Sequence, residues 1–480
     1  MKKIIAVLLS LTLFNSLQAQ SPLEDSLVAR YNRNDFNGFY ALGSAGFKSK
    51  IKPEGISGWL KHEKSLTGRI NRSFLSADSG STRYFAWDCA KEMISFKLVT
   101  AADGGFEGFD FKVYHLPPAQ VMAMHIPNDN PLKTRLDSAV NYTTVDFMAT
   151  HHLVGLSIGV VSFGYKRIYN YGTTEKGKEH LPSSRTLFEL ASVTKTFTGI
   201  LLAQAVLDKK IGLDDDIRKY MPGSFPNLQY QGHPLKVADL GNHTSGLPPE
   251  LPNLDTFKNS FAVMKMYDHY TDAKFFADLR TVKIDTLPGV SYSYSNAGMK
   301  LLGIILEKVY GRSYQQLLEK YITRPLNMPA TRTEPAVSDT TSYTKGYSAD
   351  GMTMPHASWP MFGGAGGLLS DSHDMVNYIA ANIAETLPAI KLAHQQTFAN
   401  SDNGFALGMG WQITPNTVIG TRFWKSGGAL GFRSYCAVIP DQKVGVVWLS
   451  NRSDLGEDEM GEMIDQLLLA AIKDRVLAAK

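Results

Sequence analysis

Phe188-Glu189-Leu190-Ala191-Ser192-Val193-Thr194-Lys195-Thr196-Phe197 leads into Ile200, Leu201, Leu202, Ala205 and Val206, an apolar run with helical spacing. A serine and a lysine three residues apart on a helix share one face, so the Lys195 amine can reach the Ser192 hydroxyl. The amine accepts a proton only when neutral. Lowering a lysine pKa from about 10.4 toward 7 costs roughly 4 to 5 kcal/mol, which requires a desolvated site or a neighbouring cation. The same S-x-x-K spacing recurs at Ser49 to Lys52 and at Ser342 to Lys345. The first runs into Pro53, which disfavours helix at Lys52, and the second lies in the β-branched, glycine-bounded run 340–346. Neither opens an apolar helix, and both read as surface matches. Gly155-Leu156-Ser157-Ile158-Gly159 spells G-x-S-x-G, but that elbow needs a strand-to-helix turn, and strand-like Val160-Val161 continues past it.

About a hundred residues beyond Ser192 comes Pro288-Gly289-Val290-Ser291-Tyr292-Ser293-Tyr294-Ser295-Asn296-Ala297-Gly298, with the chain's only Y-x-N. A tyrosine oxygen relays protons if a cation depresses its pKa, and an asparagine two residues on can hold the lysine or a substrate amide. Further along, Trp424-Lys425-Ser426-Gly427-Gly428 holds the only K-[ST]-G, on an expected strand whose small residues let a substrate lie along its edge. Backbone N–H groups there can complete an oxyanion hole with that of Ser192, each donor worth roughly 2.7 to 4 kcal/mol in related chemistry. Singly, these elements also read as a chance pair, a Tyr-rich turn and a small-residue strand. In this order they do not.

The triple resembles the S-x-x-K, Y-x-N, K-T/S-G set of serine β-lactamases and penicillin-binding proteins. Its Tyr variant is similar to the class C lactamase, D-alanyl-D-alanine carboxypeptidase and esterase branch. Leu240-Gly241-Asn242-His243-Thr244-Ser245-Gly246-Leu247-Pro248 resembles that branch's L-x-x-H-T-S-G-L-P loop, and Gly363 to Ser370 resembles its A-G-G-L-x-S helix start. The resemblance covers about residues 132 to 480. It implies a mixed α/β fold, an antiparallel sheet flanked by helices with an inserted helical subdomain. It implies Ser192 as the acylated nucleophile, Lys195 and Tyr294 as its proton-transfer partners, and Asn296 as a positioning amide. Lys425 supplies positive charge beside Tyr294, Ser426 and Gly427 line the bound substrate, and Ser192 with Gly428 gives the oxyanion N–H pair. No metal or cofactor is implied.

The expected function is that of an exported serine hydrolase of the D-alanyl-D-alanine carboxypeptidase type, with weak β-lactamase activity. An esterase or amidase of the same fold, and a penicillin-binding sensor that acylates once without turnover, stand as alternatives. Substrates on these readings are D-amino-acid peptides, β-lactams or esters. Cephalosporin-hydrolysing members carry Gln shortly after Gly-Leu-Pro, where this chain has Glu250, and their carboxylate-gripping Asn and Arg align with Gly456 and Glu459. A glutamate at this substrate-lining position repels a substrate carboxylate, which counts against an efficient cephalosporinase. Lys425, where many esterases carry His, favours a substrate with a carboxylate, such as a peptide ending in D-alanine.

Outside this region the chain reads as an exported globular protein. Its 480 residues carry a formal charge of +4 with 44% hydrophobic residues, far from a nucleic-acid binder's charge and from a disordered composition. Lys2 and Lys3, the apolar run Ile4 to Phe14, and Ala19-Gln20 form the layout of a secretory signal peptide over residues 1–20, too short an apolar run to span a core needing about 20 residues. The expected location is periplasmic or secreted. Residues 21–116 are expected to form a small α+β domain, loosely NTF2-like, helical to about residue 75 and alternating over 82–116. A packing or dimerising role is preferred for it over a ligand-holding one. The Pro- and Asn-rich stretch 117–131 is the expected linker, and 132–480 the catalytic domain. In the latter, a helix at 132–150 and strands at 153–162 and 167–171 face strands at 422–427, 432–439 and 443–450 and a helix at 457–477 from the far end, so one sheet draws on both ends. Cys89 and Cys436, each on a strand-like run in a different half, are expected as buried free thiols.

Overall fold

The computed structural model describes residues 22–254, 257, 259–267, 269–336, 342–357, 359–400, 405–417, 419–453 and 455–478. The expected signal peptide at 1–20 lies outside the described residues. The chain divides into two compact units, one of residues 1–126 with 142–152 and one of residues 127–141 with 153–480.

In the first unit, helices α1 (Pro22–Asn32), α2 (Phe36–Ala41), α3 (Ala45–Lys50) and α4 (Pro53–Thr67) precede an antiparallel meander of β1 (Ile70–Ser79), β2 (Thr82–Cys89), β3 (Met93–Thr100) and β4 (Phe106–Val113). Pro53 opens α4 where a missing N–H costs nothing, and Gly68 at φ +80° ends it. One sheet face buries Phe85, Trp87, Ile94, Phe96, Leu98 and Phe106 against Leu27, Tyr31, Phe39, Phe47 and Leu60 of the helices. Trp87 stacks on Phe96 with ring centroids 3.9 Å apart. Cys89 is buried here as a free thiol. Helix was expected to about residue 75, but β1 occupies 70–79. Its residues are mostly exposed and two register shifts interrupt its pairing with β2, so the sequence carries little alternation there. Residues 117–131, expected as a linker, include helix α5 (Pro118–Ala123), again opened by proline.

Helix α6 (Arg135–Thr150) is divided between the two units. In the second unit, β5 (Gly155–Ser162), β6 (Tyr165–Gly172), β7 (Phe398–Asn400), β8 (Phe405–Leu407), β9 (Gln412–Thr417), β10 (Gly420–Gly428), β11 (Arg433–Ile439) and β12 (Val444–Ser450) form one antiparallel sheet in the order β7-β8-β9-β10-β11-β12-β5-β6. The expected mixed fold with an antiparallel sheet built from both ends is what the structure has. The two ends meet where β12 pairs with β5, from Val444 opposite Ser162 to Ser450 opposite Leu156. Strands β7 to β9 lengthen the sheet beyond the sequence reading; β7 and β8, of three residues each, leave too short a pattern to recognise.

Helices α7 (Thr194–Leu207), α8 (Asn296–Tyr310), α9 (Ser372–Ala384) and α10 (Glu457–Ala478) complete the frame. The Ser157 hydroxyl meets Asn170 Oδ1 at 2.7 Å and Ser372 Oγ of α9 at 2.8 Å, whereas Ser162 Oγ donates to the Ala471 carbonyl of α10 at 3.1 Å. Odd and even positions of a strand point to opposite faces, so α9 and α10 cover β5 from its two sides. The G-x-S-x-G serine is thus a buried strand residue. Cys436, on β11, is a second buried free thiol.

Helix α7 is buried almost all round, and Gly199 lets it approach the turn Met409–Gly410, where an added Cβ would lie 1.8 Å from the Met409 carbonyl oxygen. Backbone cannot swing aside as a side chain can. Gly199→Ala is therefore expected to destabilise the protein by about 1–3 kcal/mol, read as a lowered midpoint in thermal or denaturant unfolding; an unchanged midpoint contradicts this close approach.

Candidate active site

The turn before α7 is shaped by backbone. Ala191 sits at φ +45°, a left-handed conformation costing a non-glycine residue of order 1 kcal/mol, and a 3₁₀ turn over Ala191–Val193 sets Ser192 at the start of α7. Two contacts hold this turn: the Leu190 N–H donates to the Leu368 carbonyl at 2.8 Å, and the Leu190 carbonyl accepts from Ser434 Oγ at 2.6 Å. Strand β10 then lies against the Ser192 backbone. A Cβ on Gly427 would fall 2.5 Å from the Leu190 oxygen and 2.9 Å from the Ser192 nitrogen, so only glycine fits.

Lys195 is 0% exposed. Its Nζ lies 2.9 Å from Ser192 Oγ, 2.6 Å from Asn296 Oδ1 and 2.7 Å from the Ala365 carbonyl oxygen. Burial first, and the nearby Lys425 cation second, hold the Lys195 amine well below the usual lysine range. A neutral amine has two protons and one lone pair. Asn296 and Ala365 offer only acceptors at these contacts and take the two protons. The lone pair is left for the Ser192 hydroxyl.

Tyr294 Oη is 2.6 Å from Ser192 Oγ, and its ring lies under both lysine side chains, 4.7 Å from Lys195 Nζ and 5.1 Å from Lys425 Nζ. A cation beside the phenol, the role expected of Lys425, would depress its pKa. Burial wins instead, and Tyr294 is pushed up and stays protonated. Lys425, on β10, is itself lowered to about 8 by burial, which Glu457 partly opposes. His243 tilts over the Tyr294 ring at 4.5 Å; its Nδ1 accepts from the Ser295 N–H at 3.2 Å, and burial with the two lysines keeps it neutral.

Each residue singled out from the sequence has a definite place. Ser192, Lys195, Tyr294 and Asn296 form one hydrogen-bonded cluster, with Lys425 over the same ring. Glu250 was expected to line the substrate. Its carboxylate accepts from Asn296 Nδ2 at 2.5 Å, which fixes that amide with its oxygen toward Lys195, and burial raises its own pKa. Ser426 donates to Glu457 Oε2 at 2.5 Å. Gly427 is the contact glycine, and Gly428 ends β10 opposite Arg433. Glu457, the Ala365 carbonyl and Gln412, whose Oε1 is 3.4 Å from Lys425 Nζ, were given no role from the sequence. Gly363 to Ser370 was singled out as a motif, but a backbone oxygen carries no residue signal. Nothing distinguishes Glu457 from its neighbours Asp458 and Glu459 until the fold sets it against Ser426. Asp371, His373 and Asp374 also cluster, but Asp371 caps α9 and Asp374 accepts from the Ala330 and Thr331 N–H groups, which are structural duties.

The arrangement suits nucleophilic attack by a serine oxygen. A buried neutral amine can take the hydroxyl proton, and a protonated phenol on the other side can give one. Comparisons with known proteins agree. The family model described as Beta-lactamase matches residues 140–470. The chain is similar to "Beta-lactamase" of Pseudomonas fluorescens, 24% identical over 67% of this chain and 94% of that one. It is also similar to "D-alanyl-D-alanine-carboxypeptidase/endopeptidase AmpH" of Escherichia coli (strain K12), 27% identical over 63% and 80%. Among solved structures, a Beta-Lactamase/D-Alanine Carboxypeptidase from Pseudomonas syringae shares the fold with TM-score 0.59 at 23% identity, over 70% of this chain and 98% of that one. A class C beta-lactamase gives TM-score 0.61 at 24% identity over 70% and 96%.

The position of Lys425 predicts a pH signature. Acylation of Ser192 by a neutral activated ester is expected to rise as Lys195 loses its proton, well below the ordinary lysine pKa. Lys425→Met removes a cation that helps depress Lys195, so the rise should move to higher pH. A rate-against-pH profile that stays in place contradicts the coupling.

Proposed function

The chain belongs to the Beta-lactamase family of serine hydrolases, and on that premise we propose that it is an exported peptidase or amidase that cleaves D-alanyl peptides through an acyl-enzyme on Ser192. The observation that carries the reading is the Lys195 amine, buried, depressed and 2.9 Å from Ser192 Oγ. Similarity to a protein named as a D-alanyl-D-alanine-carboxypeptidase/endopeptidase supports the peptide substrate. The leader-like residues Lys2 to Gln20 support export. Among the described residues no helix is long and apolar enough to cross a membrane.

In the proposed reaction the Ser192 oxygen attacks the scissile carbonyl and its proton passes to Lys195. The N–H groups of Ser192 and Gly428 receive the developing oxyanion. As the C–N bond breaks, the leaving nitrogen takes a proton from Tyr294, and the Lys195 ammonium restores the phenol. Water then attacks the acyl carbonyl, giving up a proton to this pair, and the Ser192 oxygen departs with one. Asn296, oriented by Glu250, keeps the amine's lone pair on Ser192 throughout. All of these residues belong to the second unit, and we propose an accessory packing role for the first.

A second reading, hydrolysis of esters by the same residues, is favoured by one observation: the Ser426 hydroxyl is taken by Glu457, which leaves less provision for a peptide's terminal carboxylate.

The test is intact-mass spectrometry after mixing with an activated ester of N-acetyl-D-alanine, paired with steady-state hydrolysis of N-acetyl-D-alanyl and N-acetyl-L-alanyl amides. An acyl adduct on the wild-type protein, its absence in Ser192→Ala, and faster hydrolysis of the D-amide are expected. Equal rates on the two amides, or an adduct that survives Ser192→Ala, would defeat the proposal.

A further inference from the structure

Strand β10 presents Ser426 directly before Gly427, the residue that packs on the Ser192 backbone. On the acyl-enzyme reading, a donor with its carbonyl at Ser192 and its leaving side laid along β10 runs past the Ser426 hydroxyl. That hydroxyl is already engaged. It donates to Glu457 Oε2 at 2.5 Å, and the Glu457 carboxylate opens α10, where the positive end of the helix favours an anion. Ser426 is 8% exposed, whereas Glu457 is an exposed residue and so open to an arriving ligand. The same carboxylate acts electrostatically on Lys425, Tyr292 and Tyr294, so its charge is felt across this flank of the nucleophile.

We infer that Glu457 is a specificity-determining residue: its carboxylate occupies the hydrogen-bonding position on Ser426 that an anionic leaving group would need, so the site takes scissile bonds whose leaving side is neutral or cationic. The inference rests on the acyl-enzyme reading of Ser192 and narrows its substrates. A serine hydroxyl has one proton to give, and here Glu457 holds it. A substrate carboxylate entering at Ser426 would have to displace Glu457 or lie beside it as a like charge, whereas an ammonium would gain an ion partner. Lys425 does not reverse the balance, because Glu457 already serves as a counter-charge to it and its Nζ is turned to Gln412 and the Tyr294 ring. Lys425 alone pointed to peptides ending in a free carboxylate. With Glu457 in place, the bonds that fit are internal to a peptide, amidated, or followed by an amine-bearing group.

Three acetyl donors that differ on the leaving side test this: 4-nitrophenyl acetate is neutral there, 3-carboxy-4-nitrophenyl acetate anionic and acetylthiocholine cationic. Each is assayed with the wild-type protein, Glu457→Gln and Glu457→Asp, and folding of all three is checked by thermal melting. In Glu457→Gln the anionic-to-neutral ratio of kcat/KM should rise about tenfold or more and the cationic-to-neutral ratio should fall, with both changes in KM rather than kcat. Glu457→Asp, which keeps the charge, should keep the wild-type order of preference. Ratios that agree within about twofold across the three proteins overturn the inference. So does a wild-type protein that already favours the anionic donor after correction for each donor's rate in buffer. Mass spectrometry with the neutral donor separates these outcomes from failure of the parent reading: a Ser192 adduct in all three proteins upholds the acyl-enzyme, and its absence in all three removes both proposals together.

Discussion

A lysine amine taken wholly out of water sits at the centre of this molecule. Burying an ammonium costs more than its hydrogen bonds return, so the group gives up its proton readily and is left with a lone pair. Everything around Lys195 keeps that solution stable. Asn296 and the Ala365 carbonyl accept its two N–H bonds, Lys425 makes a second positive charge unwelcome, and α7 carries the residue in a segment with almost no exposed surface. Glu250 works one step further out. By holding the Asn296 Nδ2 end it fixes which end of that amide faces the lysine.

The frame that delivers these groups depends on close backbone approach. Gly427 allows β10 to touch the Ser192 turn, and Gly199 and Gly410 allow α7 to lie against the Met409 turn; at Gly410 an added Cβ would fall 2.0 Å from the Lys195 carbonyl oxygen. Ser192, Lys195 and β10 are thereby fixed by main chain, which moves less than side chains do. The strained Ala191 belongs to the same logic, since its unusual φ turns the chain so that Ser192 enters the helix at the right point.

Much of this was legible in the sequence because the chemistry demands rare residues at fixed spacings. Ser192 with Lys195, Tyr294 with Asn296, and Lys425 with Gly427 are each three or fewer residues apart, and local geometry alone puts each pair together. The strands of both ends announced themselves through runs such as Gly155–Ser162 and Val444–Ser450, buried along their whole length. What escaped was set by distance in the chain or by competition between effects. Glu457 meets Ser426 only because α10 begins beside β10, and no residue pattern encodes that. Tyr294 has the Lys425 amine over its ring, as its motif suggests, yet burial still raises the phenol's pKa. Strand β1 is mostly exposed and carries no alternation to read, and β7 and β8 have three residues each.

The pairing of β5 with β12 has a consequence for how the chain acquires its structure. A chain emerging from its amino end completes the β5–β6 hairpin early, but the partner that covers the other edge of β5 comes only after most of the second unit has been made. Until then one edge of a strand that is buried in the finished fold stays open, and loop-closure entropy opposes its capture. Such an edge is a template for pairing with other chains, so the yield of native protein should depend on what shields β5 during synthesis. Arrival of β12 within the same chain closes that edge, and association with other chains, which rises with concentration, competes with it until then.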